Sequence, residues 1–169
     1  MQMQSERMLA MKIVNPLKVI EKHWDKRPVP IYDIVREIGL QLEFLPLGPE
    51  TSGYIERNRD DSYRVVVNAN HAETRKRFTA AHELGHYIYH RDLLGNGVGD
   101  TRAYRSEGTL YANPKITPVH ERQANTFAAN ILMPRHVLLA IPDRDARYAE
   151  LAQDFGVSKA AMKIRLGVK

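Results

Sequence analysis

The sequence contains no cysteine, which excludes disulfide scaffolds and cysteine-based zinc ribbons and permits a reducing compartment. Any metal ion must therefore be held by histidine and carboxylate side chains. Long apolar runs are absent too, and none approaches the roughly 18–20 residues that a membrane span needs. Residues 1–14 hold only short apolar runs broken by charges, without the apolar segment of a signal peptide. We expect a soluble cytoplasmic protein that has no membrane partner.

The rest of the composition is that of an ordinary globular domain. The 169 residues are 43% hydrophobic and 27% charged, which supplies a core and argues against disorder. The net charge is +5. A basic balance fits nucleic acid or an acidic protein partner, and it fits a solvated basic surface equally well. Composition leaves these alternatives open.

The predicted elements are helices, then a small sheet, then helices again. Helices are predicted at about 16–24, 31–38, 72–91 and 118–132, from apolar spacing and from end signals such as Asn15-Pro16 and Gly39. Strands are predicted at 40–47, 53–57 and 63–68, the last two as a hairpin. The continuous run Val65–Val67 indicates a strand buried on both faces. This order predicts an α+β fold with a small antiparallel sheet packed with helices.

The segment His82–His86 predicts a metal site on the third of these helices. At 100° per residue the two histidines differ by only about 40° in direction, so both imidazoles lie on one side. They can fill two of the four positions of a tetrahedral zinc ion. Glu83 lies about 100° from His82, which suits a base acting on water beside the ion. Gly85 lacks a side chain next to this face, so another backbone can approach.

The third ligand must come from elsewhere in the chain. His90 is eight residues from His82, about 12 Å along a straight helix, whereas ligand atoms lie about 2 Å from zinc. We predict that His90 ends the helix, favoured there by the helix dipole. Glu121 heads an apolar stripe, where a carboxylate is costly to bury unless it meets a cation. We therefore predict that Glu121 is the third ligand. The alternative is that Glu121 is an ordinary acidic residue exposed in the first turn of its helix. Asn125, one turn on, either hydrogen-bonds a ligand imidazole or is an ordinary exposed polar residue.

Segments 77–90 and 121–134 closely resemble the ImmA/IrrE family of metallopeptidases, and the resemblance covers about residues 28–140. It implies a zincin-like, thermolysin-like core in which one Zn²⁺ is held by His82, His86 and Glu121, with Glu83 as catalytic base. Another divalent ion such as Mn²⁺ is an alternative. The resemblance also implies a helix-turn-helix repressor, or an antitoxin-type protein, as substrate or partner. An oxyanion donor is still needed, and the candidates are His120, Tyr111, Tyr89 and Arg135.

Residues 1–140 are predicted as the metallopeptidase domain and 141–169 as a helical extension that resembles a helix-turn-helix. Lys159, Lys163 and Arg165 make its second helix basic, so DNA contact is one reading. We favour packing on the core, because one short unit without a dimer partner supplies few base contacts. The basic run Arg75–Arg77 is expected to be a solvated helix face, and the glycine-rich segment 95–100 either a lid or a surface loop.

The sequence thus favours a zinc endopeptidase that cleaves a regulatory protein and so controls transcription, in a stress response or a mobile element. Two alternatives stay open at this point. One is a DNA-binding regulator that uses the C-terminal unit. The other is a toxin-like module that binds an antitoxin, with weak or conditional proteolysis.

Overall fold

A computed structural model describes residues 14–94 and 115–169. In these residues the chain forms three strands and seven α-helices, with a 3₁₀ turn at Arg91–Leu93. The strands are β1 (Gln41–Leu45), β2 (Gly53–Arg57) and β3 (Tyr63–Asn68). The helices are α1 (Pro16–His23), α2 (Ile31–Glu37), α3 (Glu73–His90), α4 (Pro118–Leu132), α5 (Arg135–Leu139), α6 (Tyr148–Phe155) and α7 (Lys159–Leu166). The predicted α+β class is confirmed.

The helix ends follow from local sequence. The Asn15 side-chain oxygen accepts a hydrogen bond from the Leu17 amide at 3.0 Å, and Pro16 occupies the first helical position, as expected for a capped start. Gly39 follows α2 with a φ of +103°, a left-handed conformation that favours glycine. Within these residues no helix has both the length and the apolar composition that crossing a membrane requires.

The sheet is mixed, so the prediction of a purely antiparallel sheet is wrong. The hairpin is confirmed, because β2 pairs antiparallel with β3. However, β1 pairs parallel with β3, which gives the order β1-β3-β2. The centre of the sheet is therefore β3, and Val65, Val66 and Val67 are fully buried, as their continuous run predicts.

The parallel pairing depends on the connection between β1 and β2. This segment crosses the end of the sheet and is held by the buried Asn68 at the end of β3. The Asn68 amide nitrogen donates to the carbonyl oxygens of Gly48 at 3.1 Å and Thr51 at 2.8 Å. Its oxygen accepts from the Leu47 amide at 3.2 Å. Because these contacts join distant residues, strand spacing alone did not reveal the crossover.

Helix α3 joins the core to α4. Ala80, Ala81 and Leu84 on α3 are fully buried, and Gly85, the next residue along, faces α4. A Cβ atom at Gly85 would lie 3.2 Å from the Ala124 Cα and 3.0 Å from the Phe127 ring. The missing side chain thus allows α4 to approach the histidine-bearing face closely.

The C-terminal helices are joined to the core by two arginines. Arg77 on α3 is buried, and it donates to the Gly156 carbonyl at 3.1 Å and the Val29 carbonyl at 2.8 Å. The expectation of a wholly solvated Arg75–Arg77 face is therefore wrong at Arg77. Arg165 on α7 donates to the Met133 carbonyl at 3.0 Å. A domain boundary at residue 140, and a thermolysin-like core, stay predictions.

Candidate metal centre

Three side chains from two helices meet at one point. The Nε2 atoms of His82 and His86 on α3 lie 3.0 Å apart. Glu121 in the first turn of α4 places one carboxylate oxygen 3.1 Å from His82 Nε2 and the other 3.3 Å from His86 Nε2. The two histidines are buried and Glu121 is partly exposed, with 28% of its side chain accessible. These three residues form a group that could hold a metal ion.

The spacing of the three ligand atoms suits zinc. Ligand atoms about 2.0–2.1 Å from a tetrahedral ion lie about 3.3 Å from one another. The observed separations of 3.0, 3.1 and 3.3 Å come close to that value. Two imidazoles and one carboxylate leave a fourth position for water or substrate, which is the donor set of catalytic zinc sites.

Asn125 fixes the orientation of the first histidine. Its side-chain oxygen lies 2.9 Å from His82 Nδ1. An amide oxygen only accepts, so Nδ1 carries the proton and donates it. The lone pair of the neutral ring is then on Nε2, the atom that faces the group. The structure thus places Asn125 where a residue orienting a ligand imidazole should be.

His90 and Gln123 fix the second histidine. His90 Nε2 lies 2.8 Å from the Gln123 side-chain oxygen, and His90 Nδ1 lies 3.0 Å from His86 Nδ1. Because the glutamine oxygen accepts, His90 Nε2 carries the proton of the neutral ring. His90 Nδ1 therefore accepts from His86 Nδ1, which leaves the His86 Nε2 lone pair towards Glu121.

The contact of His90 was missed by sequence reasoning. The spacing argument excluded His90 as a ligand, and the structure does not include it in the candidate group. It is 5% exposed, however, and not only a residue favoured by the dipole at a helix end. The available signal was its position four residues after His86, which places the two rings on one helix face.

The charges of the centre favour metal binding. Burial raises the pKa of Glu121, but the hydrogen bonds and positive charges that His82 and His86 supply when protonated outweigh it, so the pKa falls to about 2. Burial also lowers the pKa of His86, and the neighbouring His82 adds to that effect. A carboxylate that stays ionised beside a neutral imidazole is the protonation state that binds a divalent cation.

Glu83, His120 and Tyr111 are the other residues that the sequence predicts for the site. Glu83 is fully buried on α3, directly after His82. His120 Nδ1 accepts from the Thr117 amide at 3.0 Å, a contact that caps α4, and its ring lies 4.7 Å from the His90 ring. Tyr111 lies outside the described residues, as does segment 95–100. The assignment of an oxyanion donor stays a prediction.

The basic residues of α7 make different contacts. Lys163 lies over the Tyr148 ring at 5.0 Å and donates to the Lys169 carbonyl at 3.3 Å. Arg165 contacts the Met133 carbonyl, and burial lowers its pKa. Lys159 is exposed. DNA contact through these three residues stays a prediction.

Comparison with known proteins shows the family. The model of the IrrE N-terminal-like domain, peptidase family M78, matches residues 35–167. The chain belongs to this family. The resemblance to ImmA/IrrE metallopeptidases is thereby confirmed, and membership implies a divalent metal at a centre such as the His82–His86–Glu121 group.

Three relatives extend the comparison. The chain is 30% identical to the radiation response metalloprotease IrrE of Deinococcus radiodurans over 128 residues, 73% of this chain and 35% of that protein. It is 28% identical to the protein of the same name from Deinococcus deserti, over 59% of this chain and 31% of that one. It is 25% identical to the uncharacterized immunity region protein 2 of Bacillus phage phi105, over 83% and 79%. The chain thus matches about a third of the length of the two IrrE proteins.

Proposed function

We propose that the protein is a cytoplasmic zinc-dependent endopeptidase. The observation that carries this proposal is the arrangement of three ligand atoms 3.0–3.3 Å apart. Each imidazole Nδ1 also has an acceptor that directs the Nε2 lone pair inward. Imidazole ligands favour zinc over manganese, whose preferred ligands are oxygens.

The chain's own residues have distinct tasks in this mechanism. A bound zinc ion supplies Lewis acidity, which acidifies water and polarises a peptide carbonyl. Glu83 accepts the proton of the attacking water and then donates it to the leaving amine. Asn125 and His90 each hold one of the two ligand imidazoles, those of His82 and His86, in a single tautomer. Glu121 contributes a negative charge to the ligand set. Glu83 is fully buried, which limits its proton exchange with bulk solvent.

The proposed substrate is a helix-turn-helix repressor, or an antitoxin-type regulator, whose cleavage relieves repression. Family membership supports this choice, as do the names of the relatives, which refer to a radiation response and to a phage immunity region. The first name refers to a stress response, and the second belongs to a protein of a phage, which is a mobile element. A repressor encoded next to this protein is therefore the first substrate to incubate with it.

Metal content tests the proposal first. Purified protein, loaded with zinc and then dialysed, should hold about one zinc ion per chain by elemental analysis. Glu121→Ala should hold much less, because two imidazoles alone leave a three-ligand site incomplete. Glu150→Ala is a matched control, since Glu150 is also a first-turn glutamate and bonds Arg147 far from the centre.

The control separates a specific loss from a general one. Equal zinc in Glu121→Ala and Glu150→Ala would remove Glu121 from the ligand set. No stoichiometric zinc in the loaded wild type would contradict the peptidase proposal. One zinc per chain in the wild type and in Glu150→Ala alone would justify the repressor cleavage assay.

A further inference from the structure

A groove of about 910 Å³ is lined by residues of α3, α4 and α7, together with Ser52, Val157 and Ser158. Its lining is mostly apolar. Phe78 comes from α3, Ala129 and Met133 from α4, and Ala161 and Ile164 from α7. Residues of α7 therefore form one wall of this groove.

The groove adjoins the candidate site through Asn125, which lines the groove and also contacts His82 Nδ1 at 2.9 Å. Asn125, Ala129 and Met133 line the groove at four-residue spacing, which spans about 12 Å along the helix axis. A span of about 12 Å holds three or four residues of an extended peptide at about 3.3 Å each.

Two arginines make the groove positive. Arg75 donates to the Ser52 hydroxyl at 2.9 Å and Arg165 to the Met133 carbonyl at 3.0 Å, and both acceptors are uncharged. Among the groove-lining residues that the structure describes, none is acidic. The charge of Arg135 acts on Arg165 as well, so the positive potential extends beyond the lining. An anionic side chain bound here would meet cations with no competing carboxylate in the lining.

Ile164 also indicates an occupant that the described residues, 14–94 and 115–169, do not supply. This large apolar side chain is 81% exposed although it lines a mostly apolar groove. An extended segment in the groove would cover it and gain the free energy of removing its apolar surface from water. Apolar cover is what a polypeptide provides, whereas a phosphate backbone does not.

We infer that this groove binds an extended segment of the protein substrate that carries apolar side chains and at least one Asp or Glu. The inference rests on the proposed peptidase function and adds a substrate preference to it. The C-terminal helices then act in substrate selection through Ala161, Ile164 and Arg165.

The test uses the full chain as Glu83→Gln, so that a bound peptide is not cut, labelled with ¹⁵N and loaded with zinc. The probes are two capped ten-residue peptides with leucine and alanine at the same positions. One carries three glutamates and the other carries three lysines at the remaining sites. The glutamate peptide should shift the amide signals of Ala129, Ala161 and Ile164 saturably. It should bind about threefold to fivefold more tightly at low salt, the effect expected of one partly exposed ion pair.

A negative charge introduced at the groove wall sharpens the test. Ile164→Glu removes apolar cover and adds a negative charge, so it should abolish or invert the preference between the peptides. The side chain is largely exposed, so the fold should be unaffected. Leu17→Glu is the matched control, because Leu17 is an apolar residue 61% exposed on α1 that does not line the groove. It should keep the wild-type preference.

Several outcomes would overturn the inference. They are equal affinity for the two peptides, shifts confined to other amides, or saturable shifts of the groove amides by a duplex DNA and not by either peptide. The zinc content of the same samples tests the proposed function separately. Peptide binding without zinc would reject the peptidase, and with it the substrate role of the groove, and would leave only a peptide-binding groove. Zinc without peptide binding would reject the groove assignment and leave the proposed peptidase standing.

Discussion

The α3–α4 pair and the α6–α7 pair place polar side chains in opposite ways. Between α3 and α4, His82, His86 and Glu83 are at most 1% exposed, and the two imidazoles face a carboxylate. On α7, the basic side chains lie at the surface or bond to carbonyl groups, as Lys163 and Arg165 do. The first pair concentrates ionisable groups in the interior, and the second keeps them apart.

This difference reflects what burial costs. An ionisable group moved out of water is destabilising unless a partner compensates it, so a buried cluster that stays in place indicates a specific use. A surface lysine has no such cost, and its charge alone indicates little. The buried ionisable groups of the metal centre therefore indicate a catalytic site more strongly than the surface charges of α7 do. The C-terminal pair is better explained as part of the wall of the groove.

The largest expected effect is that of Glu83→Gln on cleavage. The change keeps the shape and removes the proton acceptor, so the cleavage rate should fall by about 10²- to 10⁴-fold while zinc content stays at the wild-type value. Rates are measured on the purified neighbouring repressor by gel and mass spectrometry. Glu150→Gln is the control and should cleave normally. Activity within about twofold of wild type in Glu83→Gln would show that Glu83 is not the catalytic base. The proposal that the α3–α4 cluster is catalytic would then fail.

The parts of this molecule that sequence could predict are those set by neighbours on one helix. The shared face of His82 and His86 follows from a spacing of four, and the close approach at Gly85 follows from its missing side chain. Spacing on α4 likewise placed Asn125 one turn after Glu121.

The parts that sequence could not predict depend on residues far apart in the chain. The parallel pairing of β1 with β3 is held through Asn68, and the burial of Arg77 requires Gly156 and Val29. Neither spacing nor propensity contains those contacts. The link between His90 and Gln123 is of the same kind, because it joins two helices.

A smaller effect is expected from the residues that orient the two ligand rings. Asn125→Leu and His90→Phe each remove one acceptor of an imidazole Nδ1–H, and each should weaken zinc binding by about 10- to 100-fold. Asn125→Asp keeps an acceptor and should bind zinc at least as tightly as wild type. Affinities are measured by competition with a chromophoric chelator. Wild-type affinity in both Asn125→Leu and His90→Phe would show that α3–α4 positions its ligands without these contacts.

The smallest expected effect is the difference in unfolding free energy between two glycine substitutions, and it concerns the attachment of α6–α7. Gly156 and Gly167 both have positive φ, +65° and +73°, so alanine at either position should cost about 1–2 kcal/mol of unfolding free energy. A Cβ at Gly156 would also lie 2.7 Å from Arg77 Nε and 3.2 Å from Pro28 Cβ, whereas one at Gly167 has no heavy atom within 4 Å. Gly156→Ala should therefore cost about 1–2 kcal/mol more, because it disturbs a hydrogen bond from a charged group. Urea unfolding measures the free energy of unfolding of both variants.

If the C-terminal pair serves packing and the groove rather than metal binding, Gly156→Ala should keep wild-type zinc affinity despite that loss of stability. Equal costs at the two glycines would mean that Arg77 yields without penalty and does not anchor the pair.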